Sequence, residues 1–61
     1  MIAEKIRKRR LELGWSQKEL ADKVETSWQT ISNIERGQMP IMNTLNKICE
    51  VLGLKIELVY N

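Results

Sequence analysis

Start and stop signals cut this chain into short helical pieces, and their spacing constrains the fold more than composition does. Gly14, Gly37 and Gly53 each follow a stretch with apolar residues at 3.6 spacing, and glycine at such a position takes the left-handed conformation without strain. Ser16-x-x-Glu19 reads as a capping box, the hydroxyl meeting an early amide and the carboxylate reaching back. Ser27 is the next cap. These signals predict helices over residues 2–13, from Ser16 to about Val24, over residues 28–36 and over residues 42–52. The two central helices are separated by a turn of only three or four residues.

Each predicted helix has an inner face. Ile2, Ile6 and Leu13, with Ala3 and Arg10 between them, form the first. Leu20, Ala21 and Val24 form the second; Ile31, Ile34 and Glu35 the third; Leu45, Ile48, Cys49 and Leu52 the fourth. Pro40 excludes a helical conformation for Met39. Trp15, just before a cap, is expected in the core. Cys49 is expected to be a buried, inert thiol, and Met39 and Met42 to fill loop and core gaps.

After Gly53 the period changes. Leu54, Ile56, Leu58 and Tyr60 alternate with Lys55, Glu57 and Val59, which predicts a strand. A lone strand leaves its backbone groups unpaired, so this one needs a partner from outside the chain. The expected fold is therefore all-α: four helices over residues 1–53, with a short β-strand in residues 54–61 pairing across a dimer. With 61 residues the chain makes one domain at most. A chain this short buries only about 60% of its unfolded surface, so it is marginal alone. Cys49 is the only cysteine and there is no histidine, which excludes an internal disulfide and leaves a Cys/His zinc site with too few ligands. Oligomerisation is the remaining means of support.

The net charge of +2 does not by itself announce a nucleic-acid binder. Its distribution says more, because Lys5, Arg7, Lys8, Arg9 and Arg10 fall within the first ten positions. They form either a solvated helix face or a phosphate-facing patch. No apolar run approaches a membrane span and no signal-peptide pattern is present. No acid/base or nucleophile pair suggests an enzyme, and no cofactor or metal is expected.

Helical phase leaves Trp28, Gln29, Ser32, Asn33 and Arg36 facing outward on the third helix. Amides and hydroxyls so displayed can exchange hydrogen bonds with base edges in a DNA major groove. Gln17 and Gln29 open successive helices, where free amides and the helix dipole attract phosphate.

With those residues in place, the chain resembles the Xre/Cro-type helix-turn-helix regulators, the class of the phage lambda repressors. The matching residues are Ile2, Ile6, Arg10, Leu13 and Gly14, then Ser16-Gln17 and Glu19-Leu20-Ala21. Ser27, Gln29-Thr30-Ile31-Ser32 and Ile34-Glu35-Arg36-Gly37 follow, and last Pro40, Thr44-Leu45, Lys47-Ile48 and Leu52-Gly53. The resemblance implies that Gln17 anchors a phosphate and braces a neighbour on the recognition helix. It implies that Gln29 reads bases beside Trp28, Ser32 and Asn33. Arg10 and Glu35 would form an internal ion pair, and the turn after Arg36 a second phosphate clamp. The implied DNA-facing set is Arg10, Gln17, Lys18, Ser27, Trp28, Gln29, Thr30, Ser32, Asn33, Arg36 and Gln38.

The chain departs from the family pattern in three places. Glu25 stands where a left-handed glycine is usual, Trp28 replaces a polar first reader, and residues 54–60 replace a fifth helix. That ending resembles the antitoxin regulators of toxin–antitoxin operons, whose dimers share an intermolecular sheet. The resemblance thus implies a cytoplasmic bacterial or phage repressor, associated with the nucleoid, binding a palindromic double-stranded operator as a homodimer through Leu54, Ile56, Leu58 and Tyr60. Two alternatives are an antitoxin that also binds a toxin protein, and a protein-interaction module that has lost DNA.

Overall fold

Four helices pack around one small apolar core in the computed structural model, which describes residues 2–57. They are α1 (Ile2–Glu12), α2 (Gln17–Val24), α3 (Trp28–Glu35) and α4 (Met42–Leu52). α1 and α3 each stop one residue short of the expectation from sequence.

The core is built from Ile6, Leu20, Ala21, Val24, Ile31, Ile34, Leu45, Ile48 and Leu52, drawn from all four helices. Leu13, Trp15, Cys49, Val51 and Leu54 pack against it half-buried. Helices as short as α2 and α3, eight residues each, do not persist alone in water. Their stability comes from caps and from this shared core, where full burial of one such side chain contributes roughly 1.5–3 kcal/mol.

All four helices end in one way. The N–H two residues past the last turn closes onto a carbonyl five residues back: Trp15 to Arg10, Thr26 to Ala21, Gln38 to Asn33 and Leu54 to Cys49, at 2.8–3.1 Å. This closure needs a left-handed residue at its centre. Gly14, Gly37 and Gly53 supply it at three ends, and Glu25 at the fourth, with φ 63° and ψ 44°.

Several expectations are corrected here. Ile2 is 40% exposed, so the inner stripe of α1 begins at Ile6. Met39 and Met42 fill no gap; they are 66% and 61% exposed. Ile34, Leu45 and Ile48 already close the core beneath them, and the connecting loop runs over the surface. Cys49 is half-buried rather than sealed, and burial pushes its thiol pKa up, which keeps it protonated. Residues 54–57 lie in neither helix nor strand. Among the described residues no strand lies beside them to form a ladder. Leu58 and Tyr60, which complete the expected strand, lie outside the described residues.

The basic cluster on α1 is divided. Arg9 Nε donates to the Leu52 carbonyl at 2.9 Å, satisfying a free carbonyl at the end of α4. Arg10 is buried. Lys5, Arg7 and Lys8 remain exposed.

Candidate nucleic-acid interface

Two helix N-termini form the polar surface. At the first, Ser16 takes an extended conformation and the Glu19 N–H donates to its Oγ at 3.0 Å, while the Ser16 N–H donates to Glu19 Oε1 at 2.8 Å. The capping box therefore occupies the cap and third-position amides and leaves those of Gln17 and Lys18 without a helical partner. The hydrogen bond from the Ser16 backbone, followed by that with its side chain, holds the Glu19 carboxyl below the usual range.

At the second N-terminus the Thr30 N–H donates to Ser27 Oγ at 3.2 Å, and the two hydroxyls lie 2.9 Å apart. Ser27 and Thr30 thus use their hydroxyls to build the cap, and the Trp28 and Gln29 amides are left open. Ser27 is exposed and Thr30 half-buried.

Trp28 and Gln29 project from the first turn of α3, Trp28 with 51% of its surface exposed. Ser32 and Asn33 are half-buried on the same helix. Arg36 Nη2 donates to Asn33 Oδ1, which leaves the Asn33 amide nitrogen free to donate outward. Thr30, Asn33 and Gln38 line one groove with Met39, Pro40, Ile41 and Thr44. Lys18 is exposed and pairs with Asp22 at 3.4 Å on α2, a surface contact that leaves it free to exchange for phosphate.

Arg10 is placed differently from the rest of the expected DNA-facing set. It is 7% exposed, and Nε, Nη2 and Nη1 donate to Glu35 Oε2 at 2.7 Å, Glu35 Oε1 at 2.9 Å and the Trp15 carbonyl at 2.8 Å. Its role is internal, and it has no reach to a phosphate. The pair with Glu35 is present as the resemblance implied. Gln17 also reaches α3, its amide nitrogen donating to Glu35 Oε1 at 3.2 Å.

Sequence reasoning missed two features of this surface. Thr44 lines the groove beside α3, and Ile41 gives α4 no side-chain cap. The second was visible as an apolar residue where Ser, Thr, Asp or Asn is preferred. Trp15 was placed near the core as expected, and Lys23 Nζ lies 4.6 Å from its ring centroid.

An eight-residue helix, a three-residue turn around a left-handed Glu25, and a second eight-residue helix with a polar outer face make a helix-turn-helix unit. Residues 6–59 match the model of the helix-turn-helix family of the Xre and lambda-repressor type, and the chain belongs to that family. By class it stands with DNA-binding transcription regulators. Among the described residues no helix is long and apolar enough to cross a membrane.

Proposed function

We propose that this chain is a sequence-specific DNA-binding repressor, a binding module rather than an enzyme, acting in the cytoplasm as a homodimer on a palindromic operator. One observation carries the reading: α3 turns Ile31 and Ile34 into the core and exposes Trp28 and Gln29 at an open helix N-terminus. In this reading the amides of Gln17, Lys18, Trp28 and Gln29, with Lys18 and Arg36, position phosphates. Trp28, Gln29, Ser32 and Asn33 face bases, and Gln38 flanks them. Leu54 to Tyr60 of two copies pair about a two-fold axis, setting the recognition helices one DNA turn apart.

Selection of bound sequences from a random duplex pool tests this. A palindromic consensus is expected. Binding to the selected duplex should fall by about 10³–10⁵ between 50 and 200 mM salt, the loss for roughly six to ten phosphate contacts. No enrichment, or a flat salt titration, overturns the proposal.

A second reading adds a toxin protein as partner. It is favoured by three exposed apolar side chains within four positions, Met39, Ile41 and Met42, since exposed apolar surface marks protein contacts. A neighbouring reading frame of toxin type, and co-purification with its product, distinguish it from a repressor acting alone.

A further inference from the structure

The Glu35 carboxylate stands at a junction that the DNA-facing surface does not contain. It lies at the last position of α3, and its side chain is 3% exposed. Oε1 accepts from two donors, Arg10 Nη2 at 2.9 Å and Gln17 Nε2 at 3.2 Å. Arg10 Nη1 in turn donates to the Trp15 carbonyl at 2.8 Å, two residues before Gln17. The contacts close a ring: α3 to α1 through the ion pair, α1 to the turn before α2 through the Trp15 carbonyl, and α2 back to α3 through Gln17.

Gln17 links that ring to the open N-terminus of α2. It is half-buried and opens α2, where its own amide and that of Lys18 have no helical partner. A primary carboxamide has two N–H donors. Glu35 takes one, so the orientation of the group, and the direction of its remaining N–H, is set from beneath. A free glutamine at a helix start would sample several rotamers and lose that freedom on meeting a phosphate.

We propose that Glu35 is a positioning residue for DNA binding, its carboxylate holding the Gln17 carboxamide in the orientation that meets a backbone phosphate. The inference rests on the DNA-binding reading above and deepens it. Because phosphate contacts carry no sequence information, the contribution of Glu35 is to affinity and not to base preference.

The test is a cycle on the full chain with the duplex selected above and with an unrelated duplex. The paired variant Arg10→Met/Glu35→Leu removes the acceptor without leaving a buried charge alone, a replacement that proteins commonly tolerate. It should bind both duplexes about three- to tenfold more weakly, the effect of one hydrogen bond, and Gln17→Ala alone should do the same. Adding Gln17→Ala to the paired variant should cost nothing further, and the selected sequence should not change. If Gln17→Ala costs as much in the paired variant as in the unaltered chain, or if the paired variant binds like the unaltered chain, the proposal is overturned. Failure of the unaltered chain to bind any duplex is a separate result, which overturns the DNA reading and this inference with it. Should the paired variant not fold, hydrogen exchange of the Gln17 carboxamide in the unaltered free chain decides. One N–H is expected to be protected; two protons exchanging like those of a free surface amide overturn the proposal.

Discussion

Arg10 and Glu35, 25 residues apart, meet side-on: Nε reaches Oε2 at 2.7 Å and Nη2 reaches Oε1 at 2.9 Å, with both side chains under 10% exposed. This two-point geometry joins the end of α1 to the end of α3. A buried pair gains little over apolar residues of the same volume, but one partner left alone is costly. Glu35→Ala should therefore destabilise by about 3–5 kcal/mol, while Arg10→Met/Glu35→Leu should stay within about 2 kcal/mol of the unaltered chain. Urea unfolding measures both. A loss near zero for Glu35→Ala would show that the pair has no structural role.

The pair should add no pH dependence near neutrality from the arginine. The Glu35 hydrogen bond raises the Arg10 pKa, against a smaller opposing effect of burial. A raised pKa gives stability that is complete below the group's ordinary value and lost only as pH climbs through the raised one, far into alkali.

Glu19 has the opposite sign. Its pKa is lowered by the Ser16 backbone and side chain. The stability it adds is present above the ordinary carboxylate value and is lost as pH falls through the depressed one. Glu19→Gln keeps a capping acceptor but cannot titrate, so its melting temperature should fall less between pH 6 and pH 3. Ser16→Ala, which removes the other half of the box, should cost about 1 kcal/mol at any pH. Identical acid profiles for the unaltered chain and Glu19→Gln would refute the assignment.

Glu25 adopts the left-handed conformation at a cost of about 1 kcal/mol that glycine would not incur. Its pairing with Lys47 at 3.7 Å is largely exposed and returns little. Glu25→Gly is expected to raise the melting temperature by about 2–8 °C, the shift from roughly 0.5–1 kcal/mol in a domain of this size. A fall instead would mean that the Lys47 contact outweighs the backbone strain.

Gln29 and Gln17 should differ in kind. Gln29→Ala should cost about 1–3 kcal/mol of binding and relax preference at one or two base pairs, whereas Gln17→Ala should weaken all duplexes alike. Repeating the duplex selection with each variant separates the two roles. An unchanged consensus for Gln29→Ala would remove it from the reading face.

The proposed two-fold dimer should depend on the C-terminal segment. Deleting residues 54–61 is expected to give a monomer at micromolar concentration in sedimentation, with operator affinity reduced because half-sites are no longer linked. A truncated chain that still sediments as a dimer would place the main contact elsewhere.

Much of the fold was legible because its determinants are local. Ser16, Glu19 and Ser27 cap the helices they predict, and Gly14, Gly37 and Gly53 end theirs, since capping and left-handed closure involve residues only a few positions apart. The departure at Glu25 was located by the resemblance, and the left-handed conformation it implied is present, with φ 63°. Exposure around the start of α4 was not legible: Met39 and Met42 are apolar, but whether an apolar side chain finds a gap depends on how completely Ile34, Leu45 and Ile48 fill the centre.

What the sequence determined by itself is the set of four helices, their apolar faces and the outward polar face of α3, all consequences of short-range periodicity. Tertiary structure alone decided how the remaining charges divide. Helical phase set Arg10 apart on the inner face. Lys5, Arg7, Lys8 and Arg9 look alike on paper, yet Arg9 closes onto Leu52 while the other three stay in solvent. It also decided that Gln17 turns toward Glu35. Those choices depend on carbonyls and carboxylates from 18 to 43 positions away, which meet these side chains only once the helices have packed.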